Sequence, residues 1–400
     1  MKKVLAMLLA MSMAFALVAC GGAPAASEAP APEPAAEEKK EEEAPAEEPA
    51  PAEEPAEEAA EEPAEEPADE GPMYIPVMAK GFQHQFWQAV KAGSEAAAAD
   101  LGVEIYFDGP ASETEIDAQV NMVKNEMAKN PKAMALAALS TEAVKEILDE
   151  CAAKNIPVIG FDSGVPDDTS GAVKATAATN NEAAAGLAAE KFGENETVVE
   201  ALKAATPEAP VVIGCISQDA VSASVTQRTT GFVNKMKEVA EQYQPGLVSV
   251  EGHTLWEDKV DNPAVIIRVE ISATTEATAL QTSSNNLLAT DGLVAVFCSN
   301  EGAVTGFLSA VADGQDLADG GKYADLVVAG FDAGAAQKNA IREGWFYGSV
   351  TQDPFSIGYN AVEMAYKAAN GEEVSDVDTG AKWYNSENID DEDIALLVYD

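Results

Sequence analysis

The stretch IPVIGFDSG at residues 156–164 recurs as LVVAGFDAG at residues 326–334, 170 positions later. In both copies a short apolar run leads into Gly-Phe-Asp and a tight turn. A continuous apolar run of this length is typical of a parallel strand that is covered on both faces. The repeat therefore predicts two similar α/β lobes, each with an aspartate at the end of a buried strand.

These two aspartates, Asp162 and Asp332, are the first candidate ligand contacts. Ligands of open α/β sheets collect at the carboxyl ends of the strands, which is where each aspartate is expected. For either residue alone, a turn or helix-cap role is an alternative, because Asp before Gly or a small residue is common in turns. The repetition of the whole pattern favours a binding role.

The first twenty residues indicate export. Lys2 and Lys3 precede an apolar stretch at 4–18, as in a secretory signal. The sequence LVAC at 17–20, followed by two glycines, resembles the lipobox of bacterial lipoproteins. We expect residues 1–19 to be a signal peptide and Cys20 to carry the lipid that anchors the protein to a membrane surface. An uncleaved transmembrane anchor is the alternative.

Residues 21–72 have a composition of their own, with 18 Glu and 11 Pro and almost no large apolar side chain. Such a segment cannot bury a core and is expected to be disordered. We interpret residues 20–72 as the lipidated cysteine followed by a tether that lifts the folded part off the membrane. An interaction tail is the alternative.

Charge and cysteine content exclude several classes of function. The net charge of the chain is −45, and about two thirds of it lies after residue 72, which argues against nucleic acid as a partner. Cys151, Cys215 and Cys298 have no metal-site spacing, and we expect buried, unreactive thiols. The sequence contains no nucleophile elbow and no phosphate-binding glycine loop, so we expect neither an enzyme nor a cofactor.

From residue 74 onward, strand-like apolar runs alternate with helical patterns, and a second such series begins at Val211. Alternation of this kind predicts βαβ units and parallel sheets. Together with the repeat, it predicts an α/β fold of two Rossmann-like lobes.

Residues 73–384 resemble a known family: the type I periplasmic binding proteins, which are the substrate-binding proteins of ABC sugar importers with the ribose- and galactose-binder fold. The short motifs that carry the resemblance are modest singly and specific in this order. They are QFW (85–87) with KAG (91–93), NIPVIGFD (155–162), ATNN (178–181), QRTTGF (227–232), SNEG (299–302), VAGFD (328–332) and VTQDP (350–354).

The resemblance implies a hinge of three chain crossings, near Thr179, near Gln352 and around Tyr384. It divides the folded chain into an N-terminal lobe of residues 73–179 and 353–384 and a C-terminal lobe of residues 180–352 and 385–400. The ligand is expected in the cleft between the lobes, which close around it and present the bound form to an ABC permease.

The family pattern also implies the ligand contacts. Alternatives stay open for several of them: core packing for the aromatic pair, structural support for the arginine, a helix cap for the asparagine and a hinge role for the glutamine. The residues are Phe86 and Trp87 as stacking aromatics, Asp162 and Asp332 as hydroxyl acceptors, and Arg228, Asn300 and Gln352 as further polar contacts.

Three features depart from the ribose-binder pattern. Ser163 replaces an arginine that follows the first aspartate, and His84 occupies a position where related binders have Asn or Asp. His84 is therefore a candidate contact, with a solvated loop residue as the alternative. Residues 252–262 resemble an insertion, in which Trp256 either covers the cleft or packs locally.

The sequence thus predicts a monomeric, lipid-anchored, extracytoplasmic protein that delivers a small hydroxylated ligand, foremost a monosaccharide, to an ABC permease. Two alternatives stay open. One is a sensor subunit that presents a furanosyl signal or a nucleoside to a receptor. The other is a carbohydrate-active enzyme.

Overall fold

The structure is a computed structural model in which residues 71–82 and 84–399 are described. The predicted signal peptide 1–19, the predicted lipidation site Cys20 and the tether as far as residue 70 lie outside the described residues. Within the described part of the chain, no helix has both the length and the apolar character needed to cross a bilayer.

Strands and helices alternate through most of the folded chain. In order along the chain, the elements are β1 (Tyr74–Met78), α1 (Phe86–Leu101), β2 (Glu104–Asp108), α2 (Ile116–Met127), β3 (Met134–Leu136), α3 (Lys145–Ala153), β4 (Val158–Phe161), β5 (Val173–Ala178), α4 (Asn181–Glu194), α5 (Glu196–Ala204), β6 (Val211–Ser217), α6 (Ala223–Glu241), β7 (Val248–Glu251), β8 (Val265–Ile271), α7 (Ala277–Leu288), β9 (Leu293–Cys298), α8 (Glu301–Ala310), β10 (Val327–Phe331), α9 (Ala335–Arg342), β11 (Gly348–Gln352), α10 (Pro354–Ala369), β12 (Val377–Asp378), β13 (Ala381–Tyr384) and α11 (Glu392–Ala395).

The N-terminal lobe has a parallel six-stranded sheet in the order β12-β5-β4-β3-β1-β2. Helices α1 and α10 cover one face of this sheet, and α2 and α3 cover the other. Because both faces are covered, the strand β4 is apolar along its whole length, and all of its residues are buried.

The C-terminal lobe has a seven-stranded sheet in the order β13-β11-β10-β9-β6-β8-β7. It is parallel except for β13, which runs antiparallel to β11. Strand β10 lies between β9 and β11, just as β4 lies between β3 and β5 in the other lobe. The two Gly-Phe-Asp motifs therefore end equivalent strands, and the prediction of two α/β lobes is confirmed.

The third chain crossing lies earlier than the sequence predicted. We expected it around Tyr384, with residues 381–384 in the N-terminal lobe. This assignment is wrong, because Ala381–Tyr384 pairs with β11 in the C-terminal sheet, whereas Val377–Asp378 pairs with β5 in the N-terminal sheet. The chain therefore changes lobe at residues 379–380, where Gly380 has a φ of 79°.

Two glycines bring α1 and α10 into backbone contact. A Cβ atom on Gly93 would lie 2.0 Å from the carbonyl oxygen of Phe355, and one on Gly358 would lie 1.9 Å from the carbonyl oxygen of Val90. No larger residue fits at either position without moving a helix. This contact holds α1, whose first turn carries Phe86 and Trp87, close beside α10.

The 252–262 segment connects β7 to β8, and its Trp256 packs locally. The indole is 9 % exposed and lies in the apolar core of the C-terminal lobe. Its Nε1 donates a 2.8 Å hydrogen bond to the hydroxyl of Thr230. Of the two roles left open for this residue, the structure therefore shows local packing.

The three cysteines of the folded part are buried and free. Burial raises the pKa of Cys151 to about 11 and that of Cys215 to about 12. It also raises the pKa of Cys298 well above its usual value. Thiols of this kind stay protonated at neutral pH and are unreactive, as predicted.

A candidate ligand site between the lobes

The carboxyl ends of both sheets face one another across a small cavity. All eight predicted contacts line this one cavity, although they come from stretches as far apart as residues 84 and 352. The lining residues are Lys80, His84, Phe86, Trp87, Glu113, Asp162, Val225, Arg228, Asn300, Asp332 and Gln352. That these residues bind a ligand stays a prediction.

Both aspartates have an unusual backbone conformation. Asp162 has a φ of 52° and Asp332 a φ of 78°, in the left-handed region that few residues other than glycine adopt. Strained residues of this kind persist where the surrounding structure holds them, and they cluster at functional sites. The conformation is shared by both copies of the motif, so each aspartate has the turn role, and its binding role stays a prediction.

The two carboxylates differ in how they are held. Asp332 accepts a 2.6 Å hydrogen bond from the side chain of Gln352 and a 3.0 Å hydrogen bond from the backbone of Glu301. Asp162 lies 3.8 Å from both Lys80 Nζ and Arg228 Nη2, and no described residue donates a hydrogen bond to it. Burial raises the pKa of the Asp162 carboxyl group despite the two nearby cations.

Arg228 links the two Gly-Phe-Asp motifs. Its Nη2 faces Asp162 of the N-terminal lobe, and its Nη1 lies 3.5 Å from Oδ2 of Asp332 in the C-terminal lobe. Its Nε donates a 2.8 Å hydrogen bond to Asn181, and the guanidinium stacks on Phe331. The contacts with Asn181 and Phe331 thus fix the position of the arginine, and its terminal nitrogens face both carboxylates.

Two further charged residues, which the sequence analysis missed, line the cavity. Lys80 follows β1, and its Nζ lies 3.9 Å from Oε2 of Glu113, in the loop after β2. Burial opposes the charge of Lys80, but Glu113 and Asp162 outweigh it and raise the pKa of the ammonium group. Burial also opposes the charge of Glu113, yet Lys80 and His84 hold the pKa of this carboxyl below its usual value.

A sequence signal existed for Lys80. This residue stands two positions beyond the end of β1, near the carboxyl end of a parallel strand like the two aspartates, so the rule that selected them also selects the lysine. Glu113 had no comparable signal, because it lies in a loop several residues beyond its strand.

The aromatic pair belongs to both the cavity wall and the core. The rings of Phe86 and Trp87 meet edge to face at 5.0 Å, and each is at most 5 % exposed. Trp87 donates a 3.1 Å hydrogen bond from Nε1 to Glu113. His84 lies beside the same carboxylate, with Nε2 3.9 Å from Oε1.

Asn300 and Gln352 complete the polar lining. Asn300 caps α8 by accepting a 3.0 Å hydrogen bond from the backbone of Ala303, and its amide nitrogen donates to Gln218. The helix-cap role that was left open for Asn300 is therefore confirmed. The side-chain oxygen of Gln352 is buried without a partner among the described residues, which leaves one acceptor open.

Among residues 71–82 and 84–399, no group of His, Cys, Asp and Glu side chains has the arrangement of a metal site. The chemistry of the cavity is that of hydrogen bonding. Its permanent cations, Lys80 and Arg228, lie 3.5–3.9 Å from the carboxylates, beyond ordinary hydrogen-bond distance. These groups keep capacity to bind polar atoms placed among them.

Comparison with known proteins agrees with this architecture. Residues 75–373 match the family described as the periplasmic binding protein domain, which is about three quarters of the chain. The chain belongs to this family. Its predicted membership of the type I, two-lobed branch is confirmed by the structural neighbours.

Three proteins of known description are similar to this periplasmic binding protein. It is 24 % identical to the D-allose-binding periplasmic protein of Escherichia coli, over 76 % of this chain and 86 % of that one. It is 39 % identical, with a TM-score of 0.68, to a Brachyspira murdochii structure described as an ABC transporter, LacI family transcriptional regulator, over 82 % and 99 % of the two chains. It is 26 % identical, with a TM-score of 0.67, to a carbohydrate transporter solute-binding protein of Agrobacterium radiobacter in complex with D-arabinose, over 82 % and 100 %.

Proposed function

We propose that this protein captures a monosaccharide in the cavity between its lobes and presents it to an ABC permease. The observation that carries the proposal is the set of buried charged groups whose atoms lie 3.5–3.9 Å apart, too far for ordinary hydrogen bonds to one another. A sugar hydroxyl both donates and accepts hydrogen bonds, so one hydroxyl satisfies a carboxylate and a cation together. Hydrogen bonds to charged groups contribute about 1.5–3 kcal/mol each.

Two open acceptors support a ligand with several donors. The carboxylate of Asp162 accepts no hydrogen bond from the described residues, and the side-chain oxygen of Gln352 has no partner among them. A buried acceptor without a donor costs free energy, which a ligand hydroxyl recovers. The apolar C–H faces of a sugar ring match the rings of Phe86 and Trp87.

The cavity is small, and eleven residues from both lobes line it. A small cavity favours a single sugar ring over an oligosaccharide. The relatives support the same class, because one is named for D-allose and another contains D-arabinose.

The remainder of the proposal concerns location and partners. We infer that residues 1–19 direct export, that lipid on Cys20 anchors the mature protein to the outer face of the cytoplasmic membrane, and that residues 21–72 act as a tether. The folded part then works as a monomer close to its permease. The protein binds and releases its ligand without changing it.

A thermal-shift screen of pentoses, hexoses, nucleosides and sugar phosphates tests the proposal, with titration calorimetry on each sugar that stabilises the protein. At a ligand concentration 100 times the Kd, binding stabilises the folded state by about 2.7 kcal/mol. Asp390→Ala, at an exposed ion pair with Arg342, provides a control variant that should bind like the wild type.

The outcome separates the proposal from its alternatives. A monosaccharide that binds and is recovered unchanged supports it. Stabilisation by nucleosides alone favours a signal-presenting protein, and conversion of a glycoside or sugar phosphate by the purified protein favours an enzyme. Either result overturns the proposed function.

A further inference from the structure

The N-terminus of α9 in the C-terminal lobe is completed by a side chain from the N-terminal lobe. The backbone N–H of Ala335, the first residue of α9, donates a 2.8 Å hydrogen bond to the side-chain oxygen of Gln85. The N-cap residue of α9 is Gly334, which has no side chain to offer. The first N–H groups of a helix lack partners within the helix. Gln85 therefore supplies the side-chain acceptor that the sequence of α9 lacks at its own N-cap.

The converse contact completes the N-terminus of α1. The cap residue of this helix, Gln85, makes no side-chain cap of its own, and its backbone N–H donates to Oε1 of Glu301 at 3.4 Å. Glu301 is the first residue of α8 in the C-terminal lobe. A carboxylate at a helix N-terminus is also favoured by the helix dipole. Each lobe therefore caps a helix of the other across the cleft.

Tyr399 adds an apolar contact at the same place. Its ring lies 6.3 Å from that of Phe86, and it packs against the apolar clusters of both lobes. Its hydroxyl accepts a 3.3 Å hydrogen bond from the backbone of Ala333, and its own N–H donates to the Ala333 carbonyl group at 3.4 Å. Thr351 anchors the preceding residues by donating to the carbonyl group of Leu397.

We propose that Gln85, Glu301 and Tyr399, which we name the latch, are positioning residues. When the lobes are closed, they hold the start of α1, which carries Phe86, against the loop after Asp332. None of the three is among the described residues that line the cavity, so they act on the ligand through others. This inference extends the proposed function, on which the ligand-binding part of its test rests.

The latch affects release of the ligand rather than its capture. Its contacts join the two lobes, so they break when the cleft opens, and a ligand enclosed between the lobes leaves only then. Capture starts from the open form, in which the latch is not formed. Loss of a latch contact should therefore raise the dissociation rate constant and leave the association rate constant nearly unchanged.

Stopped-flow tryptophan fluorescence with D-allose and D-arabinose as probes tests this expectation. We expect Gln85→Ala to raise the dissociation rate constant roughly threefold to thirtyfold, the range for loss of one helix cap. Tyr399→Ala should raise it as well, because it removes the ring that contacts Phe86. Tyr399→Phe, which keeps the ring and loses the hydroxyl acceptor, should have a smaller effect. Leu396→Ala, at an 81 % exposed residue of the same segment, is the control.

A second measurement needs no ligand. Spin labels on Glu146→Cys and Glu208→Cys, at exposed positions of the two lobes, report the interlobe distance in the full chain carrying Cys20→Ala. The buried thiols of Cys151, Cys215 and Cys298 should not be labelled. In the ligand-free protein, we expect a closed population that shrinks in Gln85→Ala and in Tyr399→Ala.

The two measurements separate failure of the latch from failure of the proposed function. If the wild type binds neither these probes nor another monosaccharide, the proposed function fails, and the interlobe distances still decide on the latch. Interlobe distances in the latch variants that match those of Leu396→Ala overturn the latch. So does a dissociation rate that matches this control, wherever a sugar binds.

Discussion

The guanidinium carbon of Arg228 lies 4.0 Å from the centre of the Phe331 ring, so the phenylalanine of the second Gly-Phe-Asp motif supports the arginine that faces both aspartates. Phe331 is fully buried in β10. A guanidinium group stacks on an aromatic ring as an ammonium group does not. The motif therefore supplies the carboxylate and also the platform for its positively charged neighbour.

Arg228→Lys should weaken sugar binding by about 2 kcal/mol, because one ammonium group cannot stack on Phe331 and also face both aspartates. Titration calorimetry against the best ligand of the screen measures the loss. Arg342→Lys, at an exposed ion pair with Asp390, is the matched control and should bind normally. An affinity within twofold of the wild type would remove Arg228 from the site.

Asp162→Asn and Asp332→Asn should have similar effects on sugar affinity and different effects on stability. Both should weaken binding by about 1–3 kcal/mol, since each loses a charged acceptor for ligand hydroxyls. Only Asp332→Asn should also lower the free energy of unfolding of the ligand-free protein, because Asp332 accepts hydrogen bonds from Gln352 and Glu301. Calorimetry and urea unfolding provide the two measurements, and equal losses of stability would contradict the prediction.

Sugar binding should weaken on acidification, and the loss should begin at a higher pH than the protonation of an ordinary aspartate would produce. Burial raises the pKa of Asp162, so its carboxylate is protonated, and becomes a weaker acceptor for ligand hydroxyls, while ordinary aspartates are still ionised. Calorimetric affinities from about pH 7 down to about pH 5 measure the effect. Asp162→Asn should give a flatter profile. Burial also raises the pKa of Glu301 and Asp219, so some dependence should remain in this variant.

The raised pKa of Asp162 affects folding stability in the opposite direction from sugar binding. A carboxyl group whose pKa is higher in the folded than in the unfolded protein stabilises the fold at low pH, and this contribution is lost as the pH rises through the folded-state value. Asp162 therefore opposes folding of the ligand-free protein at neutral pH. Unfolding titrations of Asp162→Asn should show a gain in stability over the wild type that grows with pH.

Trp256→Ala should lower the free energy of unfolding by about 3–5 kcal/mol, as expected for removal of a large core side chain. It should leave sugar affinity unchanged, because the indole packs in the C-terminal core and bonds to Thr230. Leu255→Ala, at a neighbouring residue that is 59 % exposed, is the control. A large loss of affinity in the folded variant would show that Trp256 acts on the cleft.

Cys20→Ala should release the protein from the membrane, because Cys20 is the proposed site of the lipid. Cell fractionation with an antibody to the folded part measures the distribution. Cys151→Ala, at a buried thiol, is the control and should stay with the membrane fraction. Membrane retention of Cys20→Ala would overturn the proposed anchor.

Two of the eight predicted cavity residues, Asp162 and Asp332, were found from local sequence because parallel strands end at one edge of their sheet, and each directly follows a strand. The other six were implied by the resemblance to the family. Lys80 obeys the same rule and was missed, since a single lysine after a strand has many ordinary explanations. The assignment of Ala381–Tyr384 to the wrong lobe has a similar origin, because a short strand carries no sign of which sheet it joins.

By itself, the sequence determined the two-lobed α/β architecture, since buried parallel strands require continuous apolar runs and the Gly-Phe-Asp turns repeat with them. Only the tertiary structure decided which side chains meet across the cleft. The hydrogen bond between Ala335 and Gln85 joins residues 250 positions apart, and the contacts of Tyr399 reach both lobes. Pairings over such distances depend on how the two lobes close on each other, and no local pattern of residues encodes that geometry.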